Sequence, residues 1–238
     1  MSDVSSRHPS PEDLETTFLD TIRDYRMLAA RDRVIVAVSG GKDSYTLFDL
    51  LGRLKDEHFS TVDFHVVTIE TDLTCSGSIP PVEIQDKAKR WGMTYETIYY
   101  PISQESDGKV DCFYCALRRR TALIKRAFES GYNRIAMGHH LDDLVETLIM
   151  NMIHHGNLST MPPRVDLFDG KISIIRPLSR VLEEQCRVYA NSQTIVPAKK
   201  PCPGLSVSTR RDVKEFLGAL EEVHPGTRAN LFSSMRGL

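Results

Sequence analysis

Four groups of residues in this 238-residue chain are of types and spacings that do chemistry. Ser39-Gly40-Gly41-Lys42-Asp43-Ser44 joins two glycines to a lysine, an aspartate and two hydroxyls. Adjacent glycines let a backbone turn sharply and approach a ligand closely, and N–H groups freed at a helix start favour an anion. Phosphate is the natural occupant: Lys42 can neutralise it, Ser39 and Ser44 can donate to it, and Asp43 can hold Mg²⁺ beside it. Cys112-Phe-Tyr-Cys115 has the spacing of a metal, redox or persulfide pair. Gly138-His139-His140-Leu141-Asp142-Asp143 places imidazoles and paired carboxylates together. Cys202 stands in a proline-rich segment, Lys199-Lys-Pro-Cys-Pro-Gly204, that cannot be helical.

The elements needed to position these groups can be read around them. Val34 to Val38 is an apolar, mostly β-branched run that predicts a buried strand, and Leu47, Leu50, Leu51 and Leu54 mark one face of the helix after the glycines. Upstream, Leu14, Phe18, Ile22 and Tyr25 predict a helix from Pro11, and residues 1–10 read as disordered. Val62–Ile69 and Tyr95–Tyr100 predict strands, with a helix opening at Pro80-Pro81 and running to about Trp91, a core residue. Residues 71–81 and 101–109 read as loops. Leu117, Ile124 and Phe128 continue a helix that begins at the cysteine pair, where the dipole and neighbouring arginines favour thiolates. Arg134–Gly138 is a short strand, and Leu141 to Met152 a strongly apolar helical stripe. A strand at Ile172–Arg176 and helices over about 180–192, 210–223 and 227–235 complete the chain. Strands alternating with helices predict a doubly wound, mostly parallel α/β sheet, one domain over residues 11–238.

Composition narrows the class. Hydrophobic residues make up 41% and the net charge is −2, so any polyanion must be met by local patches. Arg118-Arg119-Arg120 with Lys125-Arg126, and Lys199-Lys200 with Arg210-Arg211, are the candidates; alone, each reads as a solvated helix face. No membrane-length apolar run or signal peptide is present, so a cytoplasmic location is expected and disulfides among five cysteines are not. Cys75 reads as an incidental loop cysteine, Cys186 as structural, and His154 and His155 as the end of a helix capped by Gly156. For His139 the alternative to a site role is helix capping.

A Walker loop needs four residues between its first glycine and Gly-Lys, and no G-x-G-x-x-G is present. Ser39–Ser44 instead resembles the PP-loop, S-G-G-x-D-S, of ATP pyrophosphatases. Together with Cys112-x-x-Cys115 leading into Leu117-Arg-Arg119, Gly138-His-His-x-Asp-Asp143, Met161-Pro-Pro163, Ile175-Arg-Pro177 and a late Pro-Cys, it resembles the tRNA 2-thiocytidine synthetase (TtcA-type) family. It is similar, more distantly, to the iron–sulfur tRNA 2-thiouridine synthetases. The resemblance implies an adenine-nucleotide alpha-hydrolase-like, Rossmann-like fold and a sulfurtransferase that uses ATP to activate a base carbonyl. It implies that Cys112, Cys115 and Cys202 hold a [4Fe-4S] cluster with one iron free for sulfur. Ser39, Gly40, Gly41, Lys42, Asp43 and Ser44 would grip pyrophosphate, and His139, Asp142 and Asp143 would form the nucleotide and Mg²⁺ corner. Arg119 falls where relatives place a basic catalytic residue. The catalytic set so implied is Cys112, Cys115, Arg119, Asp142 and Asp43.

The chain departs from the family in having one late cysteine instead of Pro-Cys-x-x-Cys, a shorter loop before Cys112, and neither zinc-ribbon pairs nor a separate RNA-binding module. The expected partners are tRNA, or a small nucleotide as the alternative substrate, and sulfide or a cysteine desulfurase as sulfur donor. A non-catalytic nucleotide-binding Fe–S sensor is the reading from another class. The sequence leaves the oligomeric state open, a homodimer included.

Overall fold

The computed structural model describes residues 11–73, 81–103, 112–193 and 209–235. The expected disorder of residues 1–10, the loop cysteine Cys75, the pair Lys199-Lys200 and the cluster ligand Cys202 lie outside them.

Six strands form one sheet in the order β3-β2-β1-β4-β6-β5. β1 (Arg33–Ala37), β2 (Asp63–Thr71), β3 (Thr94–Tyr100), β4 (Arg134–Ala136) and β6 (Ile172–Ile175) are parallel, while β5 (Arg164–Leu167) runs antiparallel to β6 at the edge. The helices are α1 (Pro11–Asp24), α2 (Lys42–His58), α3 (Pro81–Arg90), α4 (Cys112–Ser130), α5 (Leu141–His155), α6 (Glu183–Ser192), α7 (Thr209–Val223) and α8 (Thr227–Ser234). None of the described helices is long and apolar enough to cross a membrane.

Period-two alternation divides the core between two faces. Val34 and Val36 point from β1 towards α1, α2, α3 and α6, where Phe18, Phe48, Ile84 and Tyr189 are buried. Ile35 points the other way, towards Leu123 and Ala127 of α4. A third cluster joins Leu141, Leu144 and Val145 of α5 to Val213, Leu217 and Phe232 of α7 and α8. Trp91 is a half-buried edge to the first cluster, its ring 5.1 Å from that of Phe48.

One strand was not expected, and one helix starts later than expected. β5 is not marked by hydrophobic alternation; it is held by a turn in which Phe168, Asp169 and Gly170 all have positive φ. α6 begins at Glu183, not Arg180, because Ser179 and Val181 are taken into turns on Arg176 and Leu178. Gly156, with φ 59°, ends α5 as expected.

The strand order places the site. From β1 the chain crosses to β2 on one side, while β4 lies on the other, so the turns after β1 and β4 splay apart at a topological switch point.

Candidate nucleotide site

The turn after β1 is closed by its own serines. Ser39 N–H donates to Ser44 Oγ at 3.1 Å, and Ser44 Oγ donates to Gly41 O at 3.0 Å. Gly40 sits at φ 82°, which a side chain would strain. Gly41 is the N-cap of α2 and supplies no side-chain cap, so the first turn of the helix keeps N–H groups for an anion.

The turn after β4 lies against it. A Cβ on Gly138 would stand 2.7 Å from Ser44 Cα and 2.9 Å from the Asp43 carbonyl carbon, so only glycine lets the two turns meet. His140, not His139, caps α5. Its Nδ1 accepts from Asp143 N–H at 3.3 Å, and its own N–H donates to Asp143 Oδ2 at 3.1 Å. That leaves His139 facing the space between the turns.

α4 forms the third wall. Ala116, Arg119, Arg120 and Leu123 stand on one face and, with Ser39, Gly41, Asp43, Ser44, Gly138, His139 and Asp143, line a cavity of about 320 Å³. The arginine run is therefore no solvated face. Arg119 Nη2 reaches Thr71 Oγ1 at 3.5 Å, Arg118 donates to Tyr100 Oη at 2.7 Å, and Arg126 donates to Glu96 at 2.7 Å.

Electrostatics at the cavity are set by burial and cations. Loss of solvent, reinforced by Arg176 and Arg120, pushes His139 down to about 4, so its ring is neutral near pH 7. Buried Arg176 is pushed down to about 10 by burial and by Arg120. The Nδ1 of His139 and the Nε atoms of Arg119 and Arg120 are buried without a hydrogen-bond partner. Such atoms at a cavity fit an anionic, hydrogen-bonding ligand.

The expected residues divide in two. Ser39, Gly41, Asp43, Ser44, Arg119, His139 and Asp143 line the cavity, with Gly40 in the loop behind them. Lys42 and Asp142 do not. Lys42 Nζ lies 2.9 Å from Asp43 and 3.0 Å from Glu183. Asp142 is buried with both oxygens engaged, one on Arg228 at 2.8 Å and the other accepting from Glu183 N–H at 2.7 Å. The structure thus places it behind the cavity wall, holding Arg228 and the start of α6. Arg120 and Arg176 were not expected; a third consecutive arginine and the arginine of Ile175-Arg-Pro177 were the signals for them.

Among the described residues no three acidic, histidine or cysteine side chains gather as a metal site. Asp43 and Asp143 at one cavity suit Mg²⁺, which keeps waters and shares phosphate oxygens with one or two carboxylates. Cys112 and Cys115 fall in the first turn of α4, just before Ala116 at the cavity wall, and Cys115 is a half-buried, unpaired thiol. Two cysteines three residues apart at a helix start are of the type that can ligate an iron–sulfur group. Cys186 is fully buried and burial raises its thiol well above the usual range, which makes it structural.

Comparison with known proteins agrees with this geometry. The PP-loop domain family matches residues 12–197. The tRNA-cytidine(32) 2-sulfurtransferase of Anaeromyxobacter dehalogenans is 36% identical over 223 residues, 91% of this chain and 76% of the relative. Its namesake from Actinobacillus pleuropneumoniae is 34% identical over 226 residues, 92% of this chain and 70% of the relative. Among solved structures, the U34-tRNA thiolase NcsA from Methanococcus maripaludis, determined with its [4Fe-4S] cluster, superposes with a TM-score of 0.76 at 21% identity, covering 94% of this chain and 76% of that one. The NMN synthetase of Francisella tularensis gives 0.54 at 15% identity over 96% and 97%. The sheet is thus the adenine-nucleotide alpha-hydrolase-like fold, and the chain belongs to the PP-loop family and, within it, to the TtcA-type family of the tRNA-cytidine(32) 2-sulfurtransferases.

Proposed function

We propose that this protein is an ATP-dependent tRNA thiolase that replaces the 2-oxo oxygen of a cytidine with sulfur, releasing AMP and pyrophosphate. One observation carries the reading. The glycine turn, the Gly138–Asp143 turn and the arginine face of α4 converge on one cavity, bringing anion donors, two carboxylates and two guanidiniums together. The relatives' names favour tRNA over a free nucleotide as the substrate.

In this reading the N–H groups at the start of α2, with the hydroxyls of Ser39 and Ser44, hold the ATP phosphates. Asp43 and Asp143 would hold a Mg²⁺, which would offset the negative charge of the phosphates. The cytidine carbonyl oxygen attacks the α-phosphorus, the bond to the β-phosphate breaks, and pyrophosphate leaves. Sulfur then adds at the activated carbon, and AMP departs with the original oxygen. Arg119 offsets the negative charge that grows as sulfur adds, the use to which preorganised cations are put in water-poor sites. Neutral His139 serves as a hydrogen-bonding group, not as a cation. Cys112, Cys115 and Cys202 would hold a [4Fe-4S] cluster, which would supply the sulfur for the activated carbon.

The test is anaerobic incubation of reconstituted protein with ATP, sulfide and tRNA lacking the modification, followed by nucleoside mass spectrometry and nucleotide chromatography. 2-Thiocytidine with matching AMP and pyrophosphate is expected. ADP with inorganic phosphate, or AMP without a thiolated nucleoside, would overturn the reading.

A further inference from the structure

The PP-loop match ends at residue 197, yet three cations from beyond it reach back to the site. α7 and α8 pack on α5 through Val213, Leu217 and Phe232. From that base Arg210 reaches Glu146 at 3.1 Å and Asp143 at 3.8 Å, and Arg228 reaches Asp142 at 2.8 Å. Lys214 pairs with Glu183.

Glu183 divides its carboxylate between two lysines. Oε1 takes Lys42 of the glycine turn at 3.0 Å, and Oε2 takes Lys214 of α7. The residue cannot drift, because its backbone N–H is fixed on Asp142 and it begins α6, whose dipole favours an anion. Burial opposes the charge on Glu183, but Lys214 and Lys42 together hold its carboxyl down at about 2. Lys42 is therefore turned towards Glu183 and Asp43 and away from the cavity wall. To reach a phosphate in the cavity, Lys42 must let go of Glu183.

We propose that Lys214 is a positioning residue for Lys42, acting through Glu183: it shares Glu183's charge and so leaves Lys42 free to turn to the ATP phosphates. The proposal rests on the reading of the glycine turn as the phosphate site. With Lys214 removed, the whole carboxylate charge falls on Lys42, and release of that lysine becomes harder. The C-terminal helices thereby tune a residue at the other end of the chain.

The experiment is calorimetric binding of Mg-ATP to the full-length protein, with a thermal midpoint for every sample. Lys214→Met should weaken ATP on the order of 10-fold, the size of coupling seen between charged neighbours, while Lys214→Arg binds as wild type. Glu183→Gln should bind ATP at least as tightly as wild type, because Asp43 alone then competes for Lys42. Adding Lys214→Met to Glu183→Gln should change nothing further. A purely structural Lys214 would lower the midpoint in both backgrounds and leave affinity alone. Unchanged affinity in Lys214→Met, an equal loss in the Glu183→Gln background, or weaker binding by Glu183→Gln itself would each overturn the proposal. Lys214→Gln, which keeps a polar group on this half-exposed side chain, repeats the test should Lys214→Met misfold. Failure of the wild type to bind ATP would overturn the phosphate-site reading with it; wild-type binding matched by Lys214→Met removes the proposal alone.

Discussion

Replacing Gly138 by alanine adds one methyl group at the closest approach of the two turns. That Cβ would lie 2.7 Å from Ser44 Cα, 2.8 Å from Ser44 N and 2.9 Å from the Asp43 carbonyl carbon, all backbone atoms that no rotamer change can withdraw. Ordinary carbon contacts are about 3.5 Å or longer, so the turn after β4 and the start of α2 must separate by about 0.8 Å. Overpacking of this kind costs about 1–3 kcal/mol, or about 2–12 °C in the thermal midpoint for a chain of this size. The separation also moves the α2 N–H groups and Asp43 away from His139 and Asp143. Misplacements near 1 Å at reacting groups cost on the order of 100-fold, so kcat/KM for thiolation should fall by about 30- to 100-fold, more than the stability loss alone produces. Gly218→Ala is the control, since nothing lies within 4 Å of the added methyl group in the middle of α7. It should raise stability by about 0.5–1 kcal/mol and leave turnover unchanged. Wild-type turnover in Gly138→Ala, measured on protein shown to be folded, would refute the argument that the two turns act as one site.

Further outcomes follow from other contacts. Asp43→Ala should lower AMP formation on the order of 1,000-fold, as other electrostatic deletions do, with cluster absorption intact in anaerobic spectra. Cys115→Ala should lose that absorption and thiolation together, while calorimetry still shows ATP binding. Asp142→Ala leaves Arg228 with Glu221 alone and takes the acceptor from the first N–H of α6, so it should cost about 1–3 kcal/mol in chemical denaturation; no measurable shift would argue for a role at the cavity instead. Glu183 is held at about 2 against an ordinary 4.5, so its contribution is fully present above pH 4.5 and fades as pH falls towards 2. The stability gap between wild type and Glu183→Gln, at most about 3 kcal/mol near neutral pH, should therefore close over that window in urea melts.

Local pattern made much of this legible. β-branched runs and leucine spacing mark β1 and α2, and the glycine turn between them, because each is dictated by neighbours in sequence. Less legible was whatever depends on helix phase or distant pairing. Asp142 and Asp143 are adjacent and identical, yet successive helical residues point about 100° apart, so one caps α6 and the other lines the cavity. His139 and His140 divide in the same way, one in the cavity and one as the cap. The edge strand β5 carried a signal that hydrophobic period misses, Asp169-Gly170 at a tight turn. Arg210, Lys214 and Arg228 could not be placed by any local rule, since each acts on a carboxylate brought near only by tertiary packing.

The pairing of Lys42 with Glu183 spans 141 positions of the chain. Chains emerge from the ribosome N-terminal end first and their domains fold as they emerge, so the glycine turn exists long before its counter-charges on α6, α7 and α8 have been made. Until then Lys42 has only Asp43, its neighbour, for company, and Asp143 has no Arg210. A growing chain therefore carries every residue that lines the cavity before it carries the charges that position Lys42 and Asp143.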